Sequence, residues 1–309
     1  MTKYLVIKSI EGFGDRLECL LQAIGYCNAT GRTLVLDWRD PDWYHDESNA
    51  IENYLSIRKI PTVPIEQFIE IYDEQSMSVY PSRWSGDKLV TDAYHKFIYN
   101  RSFHIPQGND MLYKISRQQS PDYTEQVVVY PGVRNRSWKY KCMEQIAFTD
   151  TILDAVAEIR KHNRGRYNAL HMRAGTKQWM SGFHPIKKLN NKLVEKYPNK
   201  ISYIRYLHYQ LAKIDPTNKL PLLICSDSET LVEDWLLQTN VGEYISTTHC
   251  DLMSTGTHKI PKNKLKLATK HQLNIETLRD FIILCDARHV ISDEVSTFSQ
   301  MARRCKIVY

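Results

Sequence analysis

The sequence predicts an α/β protein made of two Rossmann-like domains facing one another across a cleft. Three observations carry this. At the amino terminus "YLVIK", the turn "EGFGD", "RLECLLQAIGYCNATG" and "TLVLDW" follow as strand, glycine turn, helix and strand, the unit that builds parallel sheets. The alternation resumes from "YNALHMR" through "LPLLICSDS" to "HVISDEV". A chain of 309 residues is also long for one small core and suits two domains of ordinary size.

Each element has its own reason. Leu17, Leu20, Leu21 and Ile24 share one face of the first helix, and Gly31 ends it. Between residues 40 and 125 turn residues and aromatics dominate, which predicts short helices and loops. "EQVVVYPG" returns to buried-strand character, and "DTILDAVAEIRKH" is a helix with Asp150 placed to cap it and Ile152, Val156 and Ile159 in phase. Charge and glycine interrupt the pattern in "RKHNRGRY", which sets domains at 1–163 and 164–309. The second domain then reads as strand "YNALHMR", helical "HPIKKLNNKLVEKY" and "ISYIRYLHYQLAKI", and strand "LPLLICSDS". Helix "ETLVEDWLLQT", with Leu231, Trp235 and Leu236 inward, precedes strand "EYIST" and helix "NIETLRDFIILCDAR". A strand, loop and helix in "HVISDEVSTFSQMARR" and a last strand "KIVY" complete it.

Composition narrows the function. Apolar residues at 42% and charged residues at 25% are globular values. The net charge of +6 suits an anionic ligand such as a nucleotide but is too scattered for nucleic acid. No window approaches the roughly 18 apolar residues of a membrane span, and the amino terminus lacks the pattern of a secretory signal. A soluble, cytoplasmic protein is expected. Seven scattered cysteines without zinc spacing read as reduced thiols.

Four segments could carry chemistry. In "EGFGDR", Gly12 and Gly14 permit positive φ and, with Phe13, bring backbone close to a ligand, and the following helix offers free N–H groups to an anion. A tight connection is the plain alternative. "LHMRAGTK" closes a strand where open α/β sheets bind ligands. There Arg173 offers a planar fork to phosphate oxygens, Lys177 a second charge and His171 a hydrogen bond to base or phosphate, unless the segment is a solvated loop. In "LLICSDSE", Asp227 could accept purine N–H or ribose hydroxyl donors, and Asp227 or Ser228 could simply cap the next helix. In "ISDEVSTFSQMARR", Ser296, Thr297 and Ser299 with helix amides could cradle an anion or serve only as caps.

In this order the four segments resemble the fucosyltransferase superfamily. "GFGDRLECLLQAIGYCNATGRTLVLDW" is similar to the start of the rhizobial Nod-factor fucosyltransferases and, more distantly, of the N-glycan core α1,6-fucosyltransferases. "HMRAGTK…FHPI", "CSDSETLVEDW" and "LRDFIILCDARHVISDEVSTFSQMAR" resemble three further motifs of the α1,6 enzymes, and the match covers the first forty residues and most of 168–304. The resemblance implies a GT-B arrangement and metal-independent, inverting transfer of fucose from GDP-fucose. Arg173 would hold the donor's β-phosphate, and His171 and Asp227 would contact guanine. Thr297, Phe298 and Ser299 would line the diphosphate. The acceptor would be an oligosaccharide or glycoconjugate, on a lipid carrier or a chitin-like chain, with peripheral membrane contact where it is lipid-linked. Residues 40–125 would then supply acceptor-facing surface.

The sequence departs from that family at one point. The α1,6 enzymes carry a glutamate shortly before FHPI, where this chain has "QWMSG", Gln178 to Gly182, without a carboxylate. Lys177 matches the family's lysine. A general base must reach the acceptor hydroxyl, and Asp15, Asp37, Asp40 and the acceptor-side His184 are the candidates. "DPD" at Asp40 to Asp42 copies a metal-binding motif of another glycosyltransferase fold, but two carboxylates alone cage a divalent ion poorly. His249, Cys250, Asp251 and His258 lack zinc spacing and read as a base- or sugar-contacting loop. The alternatives are a transferase for another nucleotide sugar and a catalytically silent nucleotide-sugar-binding protein.

Overall fold

A computed structural model describes residues 2–9, 12–40, 43–44, 50–90, 122–130, 143–163, 166–173, 199–245, 269–293 and 296–305. The helix expected in "HPIKKLNNKLVEKY" and the last strand "KIVY" lie outside these residues. Contacts divide the chain between Thr149 and Asp150, whereas the interruption in sequence pattern comes at 163.

The first unit runs β1 (Tyr4–Ile7), α1 (Phe13–Thr30), β2 (Thr33–Leu36), β3 (Leu55–Ile57), β4 (Thr62–Val63) and α2 (Ile65–Glu74). It continues with β5 (Val79–Tyr80), α3 (Asp87–Val90), β6 (Val127–Tyr130) and β7 (Ile146–Phe148). Among the described residues five strands form a parallel sheet in the order β4-β2-β1-β6-β5, and β3 pairs antiparallel with β7. The unbroken apolar runs "YLVI" and "VVVY" suit central strands covered on both faces, and all eight residues are buried. Leu17, Leu20, Leu21 and Ile24 are fully buried in α1. Gly31 closes that helix in the left-handed region, φ 71°, its N–H donating to the Cys27 carbonyl.

The second unit runs α4 (Asp150–Asn163), β8 (Asn168–Met172), α5 (Lys200–Ile214), β9 (Leu222–Ser226), α6 (Glu229–Thr239) and β10 (Glu243–Tyr244). It ends with α7 (Lys270–Asp286), β11 (His289–Ser292) and α8 (Thr297–Arg304). Among the described residues its four strands are parallel in the order β10-β9-β8-β11. Strand alternation decides what each face buries. Leu170, Met172, Leu222 and Ile224 meet Tyr203, Leu207, Leu231 and Trp235 of α5 and α6 in one apolar cluster. Residues of the other register, His171 among them, meet the helices of the opposite face, as the Ser299 and Phe298 contacts of His171 record. Helix α4 belongs here because it packs along α7, with Arg160 Nε on Asp286 Oδ2 at 2.7 Å. Asp150 opens α4 from within its first turn.

Candidate functional site

Chain direction brings the candidate residues of the second unit to the carboxyl edge of its sheet. Arg173 follows β8, Asp227 follows β9, and α8 begins a few residues past β11. Arg173 Nη1 lies 2.9 Å from Asp227 Oδ2, with 22% of the arginine side chain exposed. Ser228, not Asp227, caps α6, its hydroxyl accepting from the Leu231 N–H at 3.2 Å. That leaves the Asp227 carboxylate for the guanidinium.

Beneath Arg173 lies a relay that the sequence did not signal. The Tyr203 hydroxyl accepts the Arg173 backbone N–H at 3.2 Å and donates to Asp293 Oδ2 at 3.3 Å. Asp293 Oδ1 in turn accepts the Ser296 N–H at 3.0 Å. Burial, with the Asp293 carboxylate adding, holds the Tyr203 phenol well above its ordinary pKa, so it stays a donor. A hydroxyl and a carboxylate thus fix the residue before α8 relative to the end of β8.

Beside this relay His171 Nδ1 meets the Ser299 hydroxyl at 2.6 Å, and its ring lies 5.3 Å from that of Phe298. Ser299 is fully buried and Thr297 nearly so, while Phe298 is half-buried. Ser296 stands at the N-cap without a side-chain cap bond, so the first amides of α8 are those a helix leaves without internal partners. On α7 the buried Asp280 binds its neighbour Arg279, with Nη2 to Oδ1 at 2.7 Å, near Phe281, which packs on Phe298. Burial pushes the Asp280 carboxyl up to about 6, against the pull of Arg279. No motif marked Tyr203, which lies inside a regular amphipathic helix, and Asp280, although inside the family-like stretch "LRDFIILCDAR", was not singled out there.

The first unit has a charged carboxyl edge of its own. Gly12 stands at the N-cap of α1 with φ −72°, an extended backbone open to any residue. The positive φ that glycine permits is not used at Gly12, because the helix starts at Phe13 and takes Gly14 into its first turn. Asp15 also lies in that turn and is half-buried. The next residue, Arg16, makes a buried bidentate pair with Asp40, both bonds 2.7 Å, and its guanidinium lies over Trp38 and Trp43. Asp37 is bound by Lys8 and by Arg39. Burial raises its pKa, but Lys8 and Arg39 outweigh that and hold the carboxyl below its usual range. Of the carboxylates weighed as bases, Asp37 and Asp40 are thus engaged by buried cations. Lys177, His184, Asp42 and the stretch from His249 to His258 lie outside the described residues.

No family model and no curated protein matches the chain. Solved structures do, at the level of fold. The crystal structure of fucosyltransferase NodZ from Bradyrhizobium superposes with a TM-score of 0.62 at 15% identity, covering 98% of this chain and 93% of that one. NodZ alpha-1,6-fucosyltransferase soaked with GDP-fucose gives the same values. POFUT1 in complex with GDP follows at a TM-score of 0.56 and 12% identity, over 98% of this chain and 95% of that one. The chain has a fucosyltransferase-like fold.

Proposed function

We propose that this chain is a glycosyltransferase that takes its sugar from GDP-fucose and passes it, with inversion and without a metal ion, to an oligosaccharide acceptor. The carrying observation is the convergence of Arg173, Asp227 and the amino end of α8 at the carboxyl edge of one parallel sheet. Parallel sheets bind nucleotides at that edge, and the similar structures include one in complex with GDP and one soaked with GDP-fucose. In this reading the units pack in the GT-B manner, with the donor on the second.

The chemistry follows from charge. As the acceptor hydroxyl attacks the anomeric carbon, the bond to the diphosphate breaks and negative charge grows on the leaving oxygens. A guanidinium already oriented by Asp227, with helix amides beside it, stabilises that charge at little reorganisation cost. Asp227 then acts through Arg173 rather than on the base, and the buried Asp280 supplies an acceptor for purine N–H groups. Asp37 and Asp40 are held by cations, which leaves Asp15, half-buried in the first turn of α1, and His184 as the candidate bases.

The test pairs a nucleotide screen with one variant. GDP and GDP-fucose should raise the melting temperature more than the uridine, cytidine and adenosine counterparts. Arg173→Ala should slow transfer on the order of 10²–10³-fold. Stabilisation by another base would point to a different donor. Tight GDP-fucose binding with no hydrolysis or transfer would mark a silent binding protein, and near-normal transfer by the variant would remove Arg173 from the chemistry.

A further inference from the structure

The amino edge of the second sheet, opposite the edge that carries Arg173, gathers exposed cations and exposed apolar side chains. Helices α5, α6 and α8 each leave the carboxyl edge and return, so their last turns lie at the amino edge with the loops leading into β8, β9 and β11. Lys161 at the end of α4, Arg166 before β8, Lys213 in α5, Lys219 before β9, Arg288 before β11 and Arg304 in α8 are all exposed. None of the six pairs with a described carboxylate. Two of the acidic groups here are used internally, while Glu158 of α4 is exposed. Asp286 binds Arg160, and buried Asp215 accepts the N–H groups of Lys219 and Leu220. Glu243 is exposed.

Apolar side chains share this edge. Leu237, 86% exposed, projects from the last turn of α6, and Ile214 ends α5. Tyr209 lies one turn earlier, beneath Lys213 at 4.8 Å. Compensation of helix dipoles explains cations in last turns, but Arg166, Lys219 and Arg288 are in loops. It gives no reason for Leu237 or Ile214 to face water. A polyanion such as nucleic acid would engage the cations and leave those side chains exposed. An anionic bilayer engages both, since phosphates meet the cations and aliphatic and aromatic tips enter the boundary below them.

We propose that this edge docks the protein on an anionic phospholipid surface. The five residues of β8 then hold the Arg173 edge about 17 Å from the docking edge, on the side open to a water-soluble donor. The inference stands independently of the sugar transferred. The full chain is sedimented with vesicles of phosphatidylcholine alone and of phosphatidylcholine with phosphatidylglycerol, at low and high salt. Binding to the anionic vesicles only, weakened by salt, is expected. Lys219→Ala and Arg288→Ala should each lower the partition coefficient about fivefold, and Leu237→Asp should lower it further, with circular dichroism unchanged. Absence of binding at low salt, equal binding to neutral vesicles, or indifference to all three substitutions would overturn the proposal. So would capture by heparin or RNA with vesicles ignored, which would assign the edge to a polyanion.

Discussion

Asp280 occupies the inner face of α7 with its carboxyl raised to about 6, because burial outweighs the neighbouring Arg279. The sign of its effect on stability follows. A carboxyl whose folded pKa lies above its unfolded value binds more protons in the folded state, so stability falls as pH rises from about 4 to 6. Unfolding by urea across that range should show the loss in the native chain and a flatter profile in Asp280→Asn. Parallel profiles would mean that the group is solvated or ionised throughout. Arg173 and Asp227 differ from Asp280 in legibility. Both follow short apolar runs, so their place at a strand end could be read from sequence. That they bind each other could not, because β8 and β9 are separated by the whole of α5.

At the scale of elements, the Tyr203 hydroxyl joins α5 to the ends of β8 and β11. Tyr203→Phe keeps the packing of the ring but leaves the buried Asp293 carboxylate one donor short and the Arg173 N–H without its acceptor. A buried polar group left unpaired costs roughly 1–3 kcal/mol. A stability loss in that range is expected from urea unfolding, together with weaker GDP binding. Unchanged GDP affinity would show that the relay supports the fold but not the site. The long periodic helices and the central strands were legible, since each buries a continuous apolar set. Strands β4 and β5, two residues each, carry no periodic signal and are defined only by pairing with β2 and β6. The glycine turn left its backbone state open: Gly12 and Gly14 permit positive φ, and the local solution is an early helix start.

For the whole molecule, the two contact units set a further expectation. If the second unit holds the donor, GDP should slow amide exchange in Asn168–Arg173 and Thr297–Arg304 more than in Tyr4–Ile7. At a hundredfold excess over Kd it should stabilise the chain by about 2.7 kcal/mol. Protection confined to the first unit would contradict the assignment. Among the described residues no helix is long and apolar enough to cross a membrane, and the described cysteines are buried free thiols. Burial raises Cys19, Cys27 and Cys305 to about 12, which keeps them protonated and unreactive.

Sequence alone determined the alternation of strand and helix, the end of α1 at Gly31, and the residues that close the strands of the second unit. These depend on local periodicity and on steric rules that act within a few residues. The tertiary structure decided which of those residues meet. It directed Asp227 to Arg173 and Ser299 to His171, bound Asp37 and Asp40 with cations that follow β1 and lie in α1, and returned helix ends to one edge as an exposed basic face. Such pairings depend on strand order and chain reversal, which bring together groups far apart in the chain.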